Sequence, residues 1–188
     1  MKKTVLILPD GCEEGEALTI ADVLHRAEVE CELCALQNRD VTGAWGNVIR
    51  ADHVLSSMDA QADMIILPGG YKGAENMCAD WQLQEMLQQM NREGKIIAAI
   101  CAAPLALEKA GVLKGHCYTS YPGIRDRLTD GTWRDELVVS DGNLITSQGP
   151  ALAWRFAYAL VQALGTDPEA VKQRMIYDKA FDEGGEQA

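Results

Sequence analysis

Short apolar runs alternate along this chain with longer segments in which apolar residues recur every three or four positions. A short apolar run predicts a β-strand, and the longer spacing predicts a helix with one buried face. Up to residue 100, the predicted strands are 3–8, 29–36, 63–67 and 95–100, with an extended segment at 48–55, and the predicted helices are 13–26 and 80–92. This alternation predicts an α/β fold, a three-layer sandwich in which helices cover both faces of a mainly parallel central sheet.

The same alternation continues after residue 100. A turn of small residues and then a helix are predicted after Cys101, and a strand is predicted near 117–120. The segments 137–140 and 144–147 flank a short polar turn, which predicts an antiparallel pair of strands. Two helices follow, and the first of them covers the apolar segment 151–164.

Composition and charge limit the classes of partner. We predict a single domain over 1–177, followed by an acidic, flexible tail at 178–188. The chain has 17 basic and 28 acidic residues, a formal net charge of −11, and no local cluster of basic residues. Because this charge repels phosphate groups, we predict no nucleic-acid and no membrane partner. No apolar run reaches the roughly 18 residues of a membrane span.

Six cysteines suggest disulfide bonds or a redox or zinc site, and the sequence context argues against both. The chain opens without the apolar run of a secretion signal, so we expect reduced thiols and a cytoplasmic location. Cys31 and Cys34 have the C-x-x-C spacing of redox and zinc sites, but residues three apart on a strand point to opposite faces. No second pair completes a metal site, so we predict no metal.

Cys101 is the strongest candidate for a reactive residue. It follows the most apolar predicted strand, 95–100, which we expect to be central and buried on both faces. Ligands bind at the carboxyl ends of strands in open parallel sheets, and the small residues around Cys101 suit a tight turn that exposes a reactive side chain. A thiol at a helix N-terminus has a lowered pKa, and the N–H of Ala102 would stabilise an oxyanion. The alternative is that Cys101 is a small packing residue.

Further candidates lie at the same predicted edge of the sheet. Gly69 and Gly70 follow the neighbouring strand, and their backbone N–H groups would approach a ligand as oxyanion donors. Cys12 follows the first strand and is a candidate pocket thiol, with core packing as the alternative. Glu13 and Glu16 both lie on the apolar stripe of the first helix, where burial and a nearby thiolate would raise the pKa of a carboxyl group. The periodicity does not choose between these two acids.

Four groups of short motifs occur in an order and spacing that is more specific than any one of them. They are GCEEGEA at 11–17, LPGG at 67–70 with GAEN at 73–76, AAICAAP at 98–104, and TSQGP at 146–150. From residue 2 to residue 177 the sequence resembles the DJ-1/ThiJ/PfpI family, in particular its DJ-1-like branch. The resemblance implies a flavodoxin-like domain that forms homodimers and needs no cofactor.

The resemblance also implies roles for individual residues. Cys101 is identified as the family's reactive cysteine, which acts as a nucleophile or is oxidised to sulfinate, and Glu16 as its carboxylic partner. Glu13 and Glu14 then remain as acids that stabilise the helix dipole. Many relatives have histidine where this sequence has Tyr121. A tyrosine is a poor base at neutral pH, although its hydroxyl orients a substrate or water, so turnover is impaired if the reaction requires histidine.

Three functional hypotheses follow. The first is glyoxalase or deglycase chemistry on 2-oxoaldehydes such as methylglyoxal or on their adducts, with Cys101 as nucleophile and Glu16 as proton shuttle. The second is a non-catalytic sensor or protective protein that acts through oxidation of Cys101, and the third is a structural or chaperone-like dimer. A related protease is excluded because Ala102 stands where histidine would follow the cysteine, and a glutamine amidotransferase is excluded because no His-x-Glu follows Cys101.

Overall fold

The computed structural model describes residues 2–57 and 62–180, and the structural statements below refer to these residues. The strands are β1 (Lys3–Leu8), β2 (Glu30–Ala35), β3 (Asp40–Thr42), β4 (Val48–Arg50), β5 (His53–Val54), β6 (Met64–Leu67), β7 (Ile96–Ile100), β8 (Cys117–Tyr118), β9 (Thr132–Trp133), β10 (Val138–Asp141) and β11 (Leu144–Ser147). The helices are α1 (Glu14–Arg26), α2 (Tyr71–Ala79), α3 (Trp81–Arg92), α4 (Pro104–Lys109), α5 (Ala153–Ala163) and α6 (Glu169–Arg174). None of these helices has the length and apolar character needed to cross a membrane.

The described part of the chain ends in a 3₁₀ turn, Tyr177–Ala180. The acidic tail predicted for 178–188 begins within this turn, and its residues 181–188 lie outside the described residues.

Seven strands form one sheet in the order β10-β11-β7-β6-β1-β2-β5. Every neighbouring pair in this sheet is parallel except β10 and β11, which are antiparallel. The predicted α/β sandwich with a mainly parallel sheet is therefore confirmed, as is the antiparallel pair. β3 and β4 form a separate antiparallel hairpin, and β8 and β9 form a short parallel pair outside the main sheet.

The sheet separates two apolar cores, because successive residues of a strand point to opposite faces. One core contains Leu6 and Ile66 together with residues of α1 and α5. The other contains Val5 and Ile65 together with residues of α2, α3 and α4. Residues 97–100 of β7 alternate between the two cores and are fully buried. The prediction that this strand is buried on both faces is therefore confirmed, and β6 and β11 are its neighbours.

The two cysteines of the C-x-x-C pair lie on opposite faces of the sheet. Cys31 packs in the core beside α1, and Cys34 packs in the core beside α2. Burial raises the pKa of the Cys31 thiol to about 11 and that of the Cys34 thiol to about 12. This placement on opposite faces is the one that the strand alternation predicts.

Some local elements differ from the sequence prediction. α2 was not predicted, because its nine residues include a glycine and few apolar positions, of which Ala74 and Met77 are buried. The helix predicted after Cys101 is present and begins at Pro104. The strand predicted near 117–120 is limited to β8, since the next backbone N–H, that of Thr119, donates to the Thr146 hydroxyl rather than to the backbone of a neighbouring strand.

The carboxyl ends of β1, β6, β7 and β11 lie at the same edge of the sheet, because these strands are parallel. The segments that leave this edge carry Glu16, Gly69 and Cys101. Residues that are far apart in the sequence therefore meet at this edge, where ligands bind in sheets of this type.

Candidate active site

Cys101 occupies a strained turn between β7 and α4. Its φ angle of +62° lies in the left-handed region, which costs about 1–2 kcal/mol for a residue with a side chain. Two backbone hydrogen bonds hold this conformation. The Cys101 N–H donates to the Ser147 carbonyl at 3.0 Å, and the Cys101 carbonyl accepts from the Tyr121 N–H at 2.9 Å. The turn is sharp enough to leave the thiol only partly buried.

The carboxyl group of Glu16 reaches the thiol from α1 and has no exposure to solvent. Its Oε2 atom accepts the Gly69 N–H at 2.6 Å, and the carboxyl group also hydrogen-bonds to the Cys101 thiol. Its Oε1 atom has no hydrogen-bond partner among the described residues. Burial raises the pKa of Glu16 to about 7, although the hydrogen bonds from Gly69 and Cys101 act in the opposite direction. The protonated form of the carboxyl group is therefore accessible at neutral pH, unlike that of an ordinary glutamate.

Gly69 is required by space, and Gly70 is required by both space and conformation. A Cβ atom at position 69 would lie 2.7 Å from Glu16 Oε2 and 2.9 Å from Cys101 Sγ. Gly70 has a φ of +95°, and a Cβ atom there would collide with the carbonyl oxygen of Gly11. Any side chain at position 69 would thus separate the carboxyl group from the thiol. The Gly69 N–H, predicted as an oxyanion donor, is directed to Glu16 instead.

Burial raises the pKa of the Cys101 thiol to about 12, and the Glu16 carboxylate adds to this effect. The N–H groups of Gly70 and Ala102 both hydrogen-bond to the thiol and act in the lowering direction. The sequence predicted a lowered pKa, and the structure gives the opposite direction. The reason is that α4 begins only at Pro104 and is six residues long, so its dipole acts weakly on a thiol that is buried beside an acid.

The thiol and the carboxyl group form a coupled pair. Because both pKa values are raised, the pair holds at least one proton at neutral pH. When Glu16 is protonated, its charge no longer opposes a thiolate on Cys101. Oε1 has no hydrogen-bond partner among the described residues, so Oε2, which accepts the Gly69 N–H, is also the oxygen that meets the thiol. The arrangement can therefore move a proton between sulfur and oxygen without adding net charge to the buried site.

Tyr121 lies beside Cys101 through its backbone, and its ring is partly exposed. The ring makes an edge-to-face contact with Tyr71, the first residue of α2. Sequence reasoning did not identify Tyr71. The available signal was its position directly after Gly70, at the carboxyl end of a predicted strand.

Cys12 is brought to the same edge of the sheet but does not present its thiol there. Its side chain is fully buried in the core beside α1. Burial, with a smaller contribution from Glu14, raises the pKa of the Cys12 thiol to about 12. Its backbone packs directly against Gly70 and Gly73. Of the two roles considered for Cys12, this placement favours core packing.

Glu13 and Glu14 hold the β3–β4 hairpin against the start of α1. The buried Glu14 carboxylate accepts the backbone N–H groups of Trp45 and Asn47 at 3.0 and 3.2 Å, and Glu13 accepts the Trp45 ring N–H at 2.9 Å. Burial alone would raise the pKa of Glu14, but the hydrogen bonds from the backbone N–H groups hold it below its usual value. The sequence predicted only helix-dipole stabilisation for both acids. Of the three acids, Glu16 is the one that hydrogen-bonds to Cys101.

Known proteins resemble this chain in sequence over most of its length. The sequence model of the DJ-1/PfpI family matches residues 2–163. Protein DJ-1 homolog B of Arabidopsis thaliana is 39% identical over 158 residues, which cover 82% of this chain and 36% of that protein. Protein dj-1beta of Drosophila melanogaster is 36% identical over 167 residues, or 87% of this chain and 89% of that protein. A Caenorhabditis elegans protein named glutathione-independent glyoxalase DJR-1.2 is 32% identical over 169 residues, which cover 87% of this chain and 89% of that protein.

The fold comparison gives the same result. The crystal structure of Drosophila melanogaster DJ-1beta matches this structure with a TM-score of 0.90 at 35% identity, covering 94% of this chain and 98% of that chain. The flavodoxin-like fold that the sequence resemblance implied is therefore confirmed. Because the family model and these relatives extend over most of its length, the chain belongs to the DJ-1/PfpI family.

Proposed function

We propose that this protein converts 2-oxoaldehydes such as methylglyoxal, free or released from their early adducts, into 2-hydroxy acids without a cofactor. The observation that carries the proposal is the hydrogen-bonded pair of Cys101 and Glu16, which holds a proton beside the N–H groups of Gly70 and Ala102. The name of the Caenorhabditis elegans relative, a glutathione-independent glyoxalase, supports the same class of reaction.

The first step forms a carbon–sulfur bond. The Glu16 carboxylate accepts the thiol proton while the sulfur of Cys101 adds to the aldehyde carbon. The negative charge thus passes to the aldehyde oxygen and does not remain on a buried sulfur. The N–H groups of Gly70 and Ala102 stabilise this oxyanion, and the proton held by Glu16 then converts it into a neutral hemithioacetal.

The second step moves a proton between the two carbons of the substrate. The Glu16 carboxylate removes the proton from the carbon that carries sulfur, and the resulting enediol receives a proton on the neighbouring carbon. The first carbon is oxidised and the second is reduced, so the step needs no external oxidant or reductant. A pKa of about 7 suits Glu16 to both roles, because acid and base forms are then both present at neutral pH.

The third step is hydrolysis. Water adds to the thioester carbon, the carbon–sulfur bond breaks, and the 2-hydroxy acid and the Cys101 thiol are released. We assign the orientation of this water, or of the substrate carbonyl, to the hydroxyl of Tyr121, an exposed residue whose backbone N–H donates to the Cys101 carbonyl. Tyrosine here replaces the histidine of many relatives, so proton transfer depends on Glu16.

Formation of D- and L-lactate from methylglyoxal tests the proposal. We expect turnover by the wild type and a loss of at least about a hundredfold in both Cys101→Ser and Glu16→Gln. Cys78→Ser is the matched control, because this thiol is also partly buried but lies outside the site. Increased activity of Tyr121→His would show that the missing imidazole limits the rate. Absence of lactate, or equal activity of wild type and Cys101→Ser, contradicts the proposal.

The same geometry favours a second function, in which Cys101 senses peroxide. Two molecules of hydrogen peroxide oxidise the thiol to a sulfinate and are reduced to water. The Gly70 and Ala102 N–H groups and a protonated Glu16 would then donate to the sulfinate oxygens. Selective oxidation of Cys101 during a peroxide titration, without any lactate formation, would favour the sensor over the enzyme. Equal oxidation of Cys101 and Cys78 would exclude the sensor.

We further propose a cytoplasmic homodimer in which a second copy covers an apolar surface formed by α1 and the β3–β4 hairpin. Leu18, Trp45 and Val48 are 48%, 77% and 64% exposed. The hairpin is fixed beside α1 by the bonds from Trp45 to Glu13 and Glu14. The six cysteines are free, in keeping with a reducing compartment. Leu18→Arg should shift the sedimentation coefficient from dimer to monomer, and a monomeric wild type would contradict the proposal.

A further inference from the structure

Two exposed tyrosine rings contact each other near the turn that carries Cys101. Tyr71 is 52% exposed and Tyr121 is 41% exposed, and their rings meet edge to face with centroids 6.2 Å apart and planes at 87°. Tyr71 directly follows Gly70, whose N–H donates to the Cys101 thiol, and the Tyr121 N–H donates to the Cys101 carbonyl. The Tyr121 ring therefore extends from backbone that contacts Cys101, and the Tyr71 ring extends from the residue next to such a contact.

A glycine provides the space in which the two rings meet. A Cβ atom at position 123 would lie 2.9 Å from Cε1 of Tyr121 and 2.9 Å from the hydroxyl oxygen of Tyr71. A Cβ atom at Gly149 would lie 3.7 Å from Cδ2 of Tyr121, on the other edge of the same ring. The rings thus pack against backbone and are oriented before a ligand arrives. A preorganised surface loses less entropy on binding than one that must first be ordered.

The size of this aromatic surface is not matched by a small substrate. The methyl group of methylglyoxal, once its aldehyde carbon is bonded to Cys101, offers little area to two tyrosine rings. A planar aryl group extends further from the reacting carbon and can stack on one ring or contact its edge. Exposed aromatic rings at a reactive site therefore indicate a preference for an aromatic substituent.

We propose that the edge-to-face pair of Tyr71 and Tyr121 binds the aryl group of aromatic 2-oxoaldehydes, so that the Cys101 site prefers phenylglyoxal-like substrates over methylglyoxal. The inference rests on the proposed function and adds the substrate class. The chemistry is unchanged: phenylglyoxal and one molecule of water give mandelate. The aldehyde carbon is oxidised, the ketone carbon is reduced, and no co-reactant is needed.

The test compares kcat/KM for phenylglyoxal and methylglyoxal in the wild type and in ring-deletion variants. Because the two aldehydes differ in intrinsic reactivity, the measured quantity is the change in their ratio on mutation. Tyr71→Leu and Tyr121→Leu should each lower the phenylglyoxal to methylglyoxal ratio by about three- to tenfold, the range expected for loss of one aromatic contact. Tyr71→Phe and Tyr121→Phe keep the rings and should leave the ratio within about twofold of wild type.

Trp81→Leu is the matched control, because Trp81 is 70% exposed but lies beyond the far end of α2 from Tyr71. Its ratio should equal that of the wild type. An unchanged ratio in both tyrosine-to-leucine variants, with lactate formation by the wild type, would overturn the inference and leave the proposed function standing.

A second measurement does not depend on turnover. Chloroacetone and 2-chloroacetophenone alkylate a thiol by the same reaction, in which a carbon–sulfur bond forms, the carbon–chlorine bond breaks, and chloride and the thiol proton leave. Mass spectrometry of the Cys101-containing peptide gives the rate of modification of Cys101 by each reagent. If the protein forms neither lactate nor mandelate, the proposed function fails. In that case the aryl preference is supported if the leucine variants slow alkylation by 2-chloroacetophenone more than alkylation by chloroacetone. It is overturned if both rates change equally.

Discussion

Gly69 and Cys101 approach each other so closely that a Cβ atom at position 69 would lie 2.5 Å from the Cβ atom of Cys101. The same glycine donates its N–H to Glu16. One residue without a side chain therefore both positions the carboxyl group and leaves the space in which the thiol meets it. The integrity of the site should depend on this position more than on most others.

Gly69→Ala should lower activity by at least about a hundredfold and destabilise the fold by about 1–3 kcal/mol, because the added methyl group overpacks a site with no room to expand. Lactate formation and urea unfolding measure the two effects. Gly15→Ala is the matched control. Its Cβ atom would meet nothing nearer than 3.9 Å, and alanine in α1 should stabilise the fold by about 0.5–1 kcal/mol. Full activity of Gly69→Ala would contradict the geometry.

The raised pKa of Glu16 should make stability depend on pH. The folded value of about 7 exceeds the usual value of 4.5, so the folded protein binds more protons than the unfolded chain between these two pH values. The free energy of unfolding contributed by this group therefore falls as pH rises from 4.5 to 7, and the total fall is at most about 3 kcal/mol. Glu16→Gln cannot titrate, so its unfolding free energy should fall less over this window. Parallel curves for the two proteins would contradict the assignment.

Glu16→Gln should also separate thiol reactivity from turnover. The Glu16 carboxylate contributes to the raised pKa of Cys101, so removing its charge should lower the pKa of the thiol. Alkylation of Cys101 by iodoacetamide at pH 8 should then be faster by at least about fivefold, since thiolate is the reacting form. Lactate formation should nevertheless fall, because the proton shuttle is lost. Alkylation of Cys78 in the same sample is the internal control, and slower alkylation of Cys101 would refute the coupling.

Glu14→Ala should destabilise the fold by about 2 kcal/mol, because the backbone N–H groups of Trp45 and Asn47 lose a charged acceptor. The pKa of Glu14 is held below its usual 4.5. The contribution of Glu14 to the free energy of unfolding is therefore fully present above pH 4.5. It is lost as pH falls through the lower pKa that Glu14 has in the folded protein. The difference between wild type and variant in urea unfolding should shrink in acid. Glu75→Ala is the control, because this side chain is 57% exposed and its removal should cost less than about 0.5 kcal/mol.

The order of the elements could be predicted because the signals are local. The apolar stretch that ends at Ile100 is a strand in any compact fold, and the pattern at Asp141 marks a turn between two strands. α2 escaped prediction because its helix depends on burial of Ala74 and Met77 against a core that the rest of the chain builds.

The site could be predicted only in part, because some of its residues are identified by local signals and others only by contacts between distant segments. Position after a buried strand identifies Cys101, and the lack of side chains identifies Gly69 and Gly70. The choice of Glu16 over Glu13 depends on a contact with Gly69, which lies 53 positions away. Periodicity in the sequence cannot make that choice, because it predicts both acids on one apolar stripe, whereas α1 begins at Glu14 and Glu13 precedes the helix.

The sequence by itself determined the alternation of strands and helices and the placement of Cys101 at the end of a buried strand, because both follow from residues close together in the chain. Only the tertiary structure decided the direction of the Cys101 pKa, the partner of the thiol, and the meeting of Tyr71 with Tyr121. These depend on burial and on distances between segments that the sheet brings together. Electrostatic and packing energies change over a few ångströms, and no local pattern records such distances.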